Sequence, residues 1–212
     1  MAVPAVGGVA IKTRRQRMIV YTVGAVLAGL LAAWCLAVPM PTYLLYATPP
    51  IKADAAVLFL GPDEAARRQQ VDELVAKGWV KFVIVPWEGE IFETRVAKAL
   101  VTPQKTARLA RALRMDFNKS FVERTHVEVM QTRSLMDHIG ARRAVFVSSP
   151  YHMRRIKLMA DRVFETDIYD IAYLPTAYDP PHWPWFAHWT DVKWVVSEWV
   201  KIVWFLLYSP FV

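Results

Sequence analysis

Residues 143–164 read RAVFVSSPYHMRRIKLMADRVF, and this stretch decides the class of fold. Its first six residues are the apolar run of a buried strand, and the residues from Pro150 onward have helical spacing. Serine followed by proline commonly begins a helix, because serine suits the N-cap and proline the first turn. We therefore predict a strand over Arg143–Ser148 that leads through a tight turn into a helix over Pro150–Phe164.

The same alternation of short apolar runs and helical segments extends over most of the chain. Further strands are predicted at residues 54–60, 80–85, 120–123 and 168–174. Further helices are predicted at residues 63–77 and 126–139, and a helix interrupted near Pro103 is predicted over residues 92–100 and 104–114. Strands that alternate with helices of this length favour βαβ units. The sequence therefore predicts an α/β fold with a mainly parallel sheet covered on both faces.

A membrane anchor is predicted at the N-terminus. Residues 18–38 carry no charge, and four basic residues but no acidic ones precede them. This length spans a bilayer, and the charge bias places residues 1–17 in the cytoplasm as a basic tail. A cleaved signal peptide is the alternative, but its apolar region is normally shorter. Residues 39–53, with four prolines, are predicted to be an extended linker to a domain over 54–205.

Composition excludes several classes of protein and site. Outside the first 50 residues, 22 basic and 19 acidic side chains nearly balance, so no nucleic-acid partner is predicted. The single cysteine, Cys35, excludes an internal disulfide and a cysteine-based zinc site. The five histidines lack the His-x-x-x-His spacing of a metal site on one helix, and no metal site is predicted.

Polar residues cluster at two predicted strand ends. In the first cluster, Thr125 and Glu128 fit a capping box, which leaves Glu123 and His126 without a structural role. The second cluster follows the strand at 143–148. At a helix start, free N–H groups and nearby cations favour an anion, so ligand-binding residues are predicted from both clusters: Ser149, Tyr151, Arg154, Arg155, Thr125 and His126.

Two of these polar residues are candidates for proton transfer. His152 titrates near neutral pH, and Glu123 supplies a carboxylate at the neighbouring strand end. His152 and Arg155 are three residues apart and share a helix face, whereas Arg154 points about 100° away. We predict that Arg155 and the turn at 149–152 hold the anion. Whether the protein is an enzyme stays open, and no cofactor is predicted.

These two clusters resemble a family of bacterial envelope proteins, the one defined by domain of unknown function 218 (DUF218) and including YdcF, SanA and ElyC. Its pattern is matched by residues after two strands: Glu123, Thr125 and Glu128, then Ser149, Tyr151, His152, Met153, Arg154 and Arg155. Glu198 resembles the glutamate of the family's closing helix, Arg67 or Arg68 its arginine on the first helix, and Glu93 its glutamate after the second strand. The resemblance covers residues 53–205.

The resemblance implies a Rossmann-like, doubly wound sheet and a role in envelope or peptidoglycan-precursor physiology. With the predicted anchor, it places the protein in the bacterial inner membrane with its α/β domain in the periplasm. The sequence departs from the family where paired glycines are usual, at Leu60-Gly61-Pro62 and at residues 85–89, which read VPWEG. Proline removes a backbone donor there, so half of the expected phosphate cradle is altered.

The C-terminal region is rich in tryptophan. Six tryptophans lie between residues 183 and 204, and residues 206–212 form an apolar tail. Tryptophan favours membrane interfaces and protein contacts, so Trp183–Val212, together with the membrane anchor, is a candidate surface for a membrane-protein complex. Two interpretations stay open: a protein that binds an anionic, phosphorylated small molecule, and a degenerate accessory subunit of such a complex.

Overall fold

The computed structural model describes residues 14–94, 98–99 and 121–212, and the chain divides into two compact units, Met1–Met40 and Pro41–Val212. The predicted helix at 104–114 lies outside the described residues. In the first unit, helix α1 covers Arg14–Ala37, about 36 Å of helix. An apolar stretch over Gln16–Leu44 has a mean hydropathy of 2.1, so this region is long and apolar enough to cross a membrane.

The second unit is built on one mostly parallel sheet, which confirms the predicted α/β class. Six strands lie in the described part of the chain, in the spatial order β4-β3-β2-β1-β5-β6. Strands β2, β1, β5 and β6 are parallel, whereas β3 and the two-residue β4 are antiparallel additions at one edge. Their bounds are Ala55–Leu58 (β1), Phe82–Val85 (β2), Glu90–Glu93 (β3), Lys98–Ala99 (β4), Arg143–Ser148 (β5) and Asp170–Pro175 (β6).

Helices cover both faces of this sheet. Alternate residues of β1 and β5, such as Val57 and Phe146, join one buried cluster with the helices that follow β4. Their neighbours, such as Leu58 and Val147, pack on Leu74 of the helix between β1 and β2. Burial on both faces explains why these strands are continuous apolar runs. The helices are α2 (Met40–Leu44), α3 (Glu64–Ala76), α4 (Arg124–His138), α5 (Met153–Val163) and α6 (Trp189–Tyr208).

The segment on which the fold prediction rested is confirmed in detail. Strand β5 has the predicted bounds, Ser149 is the N-cap of the following turn, and Pro150–His152 form one turn of 3-10 helix before α5. Helix α3 ends before Gly78 and α4 before Gly140. Both glycines have positive φ, 64° and 69°, a conformation that glycine adopts without strain.

The region after β2 corrects one prediction. Glu90–Glu93 form an antiparallel strand, and not the start of a helix over 92–100. Gly89, at a φ of 71°, donates its N–H to Val85 O at 2.9 Å, which closes a tight turn. Residues 86–89 therefore form the turn of a β-hairpin that joins β2 to β3.

Two further predictions differ from the structure. Residues 121–123 are not a strand, and α4 begins at Arg124, so Thr125 lies inside the helix and no capping box forms. Residues 41–53 pack on the sheet and are not extended away from it. Leu44 is fully buried, and Thr48 donates its N–H to Tyr173 O at 2.9 Å, so this segment lies along the edge strand β6.

The order of the parallel strands fixes where a ligand can bind. The chain passes from β1 to β2 on one side of β1 and later returns to β5 on the other side. The connections that leave the carboxyl ends of β1 and β5 therefore diverge, and a crevice opens between them. The polar turn at 149–152 lies at this crevice.

Candidate functional site

A pocket of about 110 Å³ lies beyond the carboxyl ends of β1 and β5. Four parts of the second unit contribute to it: the segment after β1 with the start of α3, the turn after β5, the loop after β6, and α6. Of the predicted site residues, those lining it are Ser149, Tyr151, His152 and Arg155. The turn and the first residues of α5 thus face one pocket.

Arg155 is the centre of a buried ionic network. Its Nε and Nη2 donate to the Glu198 carboxylate at 2.6 and 3.0 Å, and its Nη1 contacts both Glu123 oxygens at 2.6 Å and Thr125 Oγ1 at 2.8 Å. Arg155 and Glu198 are each 3% exposed. Three residues that resemble the family pattern, from α6, α5 and the N-cap of α4, therefore meet in space. Lys201 adds a fourth charge, 3.3 Å from Glu198.

His152 is held by hydrogen bonds on both sides of its ring. Nδ1 lies 2.9 Å from Ser148 Oγ, and Nε2 lies 3.4 Å from Thr125 Oγ1. Burial lowers the pKa of His152 well below its usual value, and the nearby charges of Arg155, Arg67 and Lys201 lower it further. His152 is therefore neutral at pH 7. It reaches Glu123 only through Thr125 and Arg155, so the two predicted acid–base candidates share a network but not a direct contact.

A second buried arginine lies on the other side of the pocket. Arg67 forms an ion pair with Asp63, donates to Phe59 O at 2.6 Å, and donates to Ser149 Oγ at 2.8 Å. Its guanidinium lies against Gly61, where a Cβ would come within 2.5 Å of Nη2. The single glycine left after β1 therefore makes room for an arginine of the chain itself. Of Arg67 and Arg68, only Arg67 lines the pocket.

The remaining predicted residues point elsewhere. His126 Nδ1 lies 3.2 Å from Tyr208 Oη, its ring packs edge-on against Phe205, and burial lowers its pKa. Arg154 donates to Tyr43 O at 2.8 Å and lies over that tyrosine ring. Neither His126 nor Arg154 lines the pocket.

The charges around the pocket are unevenly matched. The pocket is lined by four carboxylates and by three permanent cations, which are Arg67, Arg155 and Lys201. Both arginines are already paired with carboxylates. Burial raises the pKa of Asp179, and the nearby carboxylates of Asp63 and Asp191 raise it further. Burial raises the pKa of Tyr151, and the nearby carboxylate of Asp191 raises it further. The end of the pocket formed by the loop after β6 therefore has excess negative charge.

Sequence reasoning missed this acidic end. Asp63 is more than 100 residues from Asp179, His182 and Asp191 in the chain, and the four meet because the segment after β1 and the loop after β6 converge on α6. One local signal was present: His188 and Asp191 are three residues apart at the start of a helix, which places them on one face.

Comparison of the chain with protein-family models, curated proteins and solved structures finds no significant match.

Proposed function

We propose that this chain is a membrane-anchored, YdcF-like protein of the bacterial cell envelope, and that its pocket binds a small ligand with a phosphate-type anionic group in envelope or peptidoglycan-precursor physiology. In this proposal the second unit is a doubly wound, Rossmann-like domain, since helices pack on both faces and the strand order reverses at β1. The supporting observation is that Ser149, Arg155 and Glu198, each part of the resemblance, line one pocket at that reversal.

The proposed anion contacts are the hydrogen-bond donors of the pocket that are not already paired with a carboxylate of the chain or are paired only weakly. Both buried arginines keep carboxylate partners within the chain, so they stabilise the pocket wall. Lys201 is more exposed, at 36%, and has one partner at 3.3 Å. The Ser149 hydroxyl accepts from Arg67 and keeps its own hydrogen for a ligand. Lys201 and Ser149 are therefore the proposed anion contacts, and neutral His152 is the acid–base candidate.

Replacing Lys201 with methionine is expected to weaken binding of a sugar phosphate by about 10- to 100-fold, because a hydrogen bond to a charged group contributes roughly 1.5–3 kcal/mol. Binding is measured by calorimetry on the full chain in detergent, with inorganic phosphate as a second probe. Lys193→Met is the matched control, since Lys193 lies on the same helix, outside the pocket. Equal affinity in K201M and wild type would remove the proposed contact.

One observation favours the second candidate, an accessory subunit. Val196, Val200, Val203 and Leu207 form a stripe along α6 and are 48–63% exposed, while Ile202 and Phe205 on the other face are buried. A continuous apolar stripe suits a protein partner or the membrane. If no phosphate probe binds and the chain elutes in gentle detergent with a stoichiometric partner, the subunit is the better assignment.

The proposed orientation predicts the location of the C-terminus. A phosphatase reporter that is active only outside the cytoplasm should be active when fused after Val212, and a fluorescent reporter restricted to the cytoplasm should be dark there. The reason is that basic side chains, including Arg14 and Arg17, precede the uncharged stretch at residues 18–38. Replacing the basic residues before the span with glutamate and adding lysines after Val38 should weaken or reverse this pattern. The opposite reporter pattern in the wild-type chain would rule out the periplasmic assignment.

A further inference from the structure

Two histidines and an aspartate meet at the acidic end of the pocket. One ligand atom from each of His182, His188 and Asp191 lies within 4.8 Å of the other two. His182 Nδ1 is 2.9 Å from Asp191 Oδ2, and the two imidazole rings stack with their centroids 4.5 Å apart. Three potential ligands from two separate segments, the loop after β6 and the start of α6, therefore converge on one point.

The chemistry of this set suits a transition metal ion. Imidazole nitrogen and carboxylate oxygen are both zinc ligands, and three protein ligands that leave one position open are characteristic of reactive zinc sites. At bond lengths of about 2.0–2.2 Å, tetrahedral ligand atoms are about 3.4 Å apart, so the widest pair must close by up to about 1.4 Å while the 2.9 Å contact between His182 Nδ1 and Asp191 Oδ2 opens by about 0.5 Å. The side chain of His182 is 59% exposed and His188 is also exposed, so both can move.

We propose that His182, His188 and Asp191 bind a divalent transition metal ion, zinc by chemical preference, at the mouth of the pocket with one coordination position directed to solvent. The ion takes the place of the hydrogen bond between His182 Nδ1 and Asp191 Oδ2, and the neutral imidazole then keeps its single proton on Nε2, so no net proton is released. This proposal is independent of the proposed function, because it concerns a metal ion that binds without any other ligand.

The surroundings of the cluster support a cation there. Asp191 is 7% exposed, so water screens the negative charge of its carboxylate only weakly. Asp179 lies close enough to interact electrostatically with both His182 and Asp191. The two buried arginines of the pocket are paired with other carboxylates, Asp63, Glu123 and Glu198. A dication would therefore balance charge that the protein leaves unbalanced.

The site also has a consequence for the ligand. The pocket lining carries one more carboxylate than it has permanent cations, and a bound dication would make its net charge positive. A ligand oxygen could then occupy the open coordination position while its other polar groups contact Ser149 or Lys201. The loop after β6 would thus contribute directly to ligand binding, although none of its residues is among those that match the family pattern.

Direct metal binding tests the proposal. The full chain, purified in detergent without a histidine tag and treated with a chelator, is titrated with Zn²⁺ against a chromophoric competitor and separately with Co²⁺. We expect one equivalent of each metal, with the visible absorption of four-coordinate Co²⁺. His182→Ala and His188→Ala should each weaken Zn²⁺ binding by more than about 100-fold, because each removes one of the three ligands.

The control variant is His138→Ala, because His138 is an exposed histidine at the end of α4, far from this loop in the sequence. It should bind one equivalent of zinc as the wild type does. His182 and His188 are exposed, so their alanine variants should keep the wild-type circular dichroism spectrum. Zinc affinity in the His182→Ala, His188→Ala double variant equal to that of H138A, or no stoichiometric binding by the wild type, would overturn the site.

Discussion

Replacing Arg155 with methionine is expected to lower the free energy of unfolding by about 3–5 kcal/mol, because two buried carboxylates lose the cation between them. Glu198 is 3% exposed and Glu123 15% exposed, so water cannot fully replace the guanidinium. For a domain of this size the melting temperature should fall by roughly 6–20 °C. Thermal unfolding of the full chain in detergent, followed by circular dichroism, measures the effect.

Two comparisons separate this loss of charge pairing from a loss of packing. Arg154→Met changes the neighbouring residue, which is partly exposed and contacts Tyr43, and should cost no more than about 1 kcal/mol. Adding Glu123→Gln and Glu198→Gln to R155M should recover part of the lost stability, since no buried charge is then left unpaired. Melting temperatures that are equal in R155M and R154M would show that the network does not stabilise the fold.

The sequence predicts those parts of the fold in which local signals and tertiary structure agree. Strand β5 and the helix after it match their predicted bounds, because an apolar run and a Ser-Pro helix start lie side by side. Strand β3 was missed for the opposite reason. Its four residues, Glu90–Glu93, are too short to show a strand period, and pairing with β2 is what makes them extended.

The candidate site was predicted in part for a related reason. The spacing of residues along one helix determines which side chains share a face, so the sequence predicts His152 and Arg155 on one face and Arg154 on another. In the structure His152 and Arg155 line the pocket and Arg154 does not. The partners of Arg155 could not be derived from spacing, since Glu123 and Glu198 are 32 and 43 residues away. Only the resemblance connected them. The role of Gly61 was also hidden, because Arg67 must first fold over it.

Stability is expected to fall between pH 7 and pH 5 through His152 alone, by up to about 2 kcal/mol, the limit that an unfolded-state pKa of about 6.5 sets. Its pKa in the folded protein lies well below the ordinary value of 6.5, because burial and the charges of Arg155, Arg67 and Lys201 disfavour the imidazolium. As the pH falls below 6.5, the unfolded chain binds a proton that the folded protein does not. The contribution is thus complete above pH 6.5 and is lost as the pH falls toward the folded pKa. His126, whose pKa burial also lowers, acts in the same direction.

The measurement is the melting temperature of the full chain at several pH values, compared between wild type and His152→Asn. The variant should start less stable at pH 7 but lose less stability on acidification, so the difference between the two curves should shrink toward pH 5, by up to about 2 kcal/mol. Glu128 acts in the opposite direction, since burial raises the pKa of its carboxyl, but it is present in both proteins and cancels in the difference. His138→Asn, at an exposed position, should retain the wild-type curve. Parallel curves for wild type and H152N would mean that His152 binds a proton as readily in the folded protein as in the unfolded chain. The hydrogen bonds to Ser148 and Thr125 would then not keep the imidazole neutral.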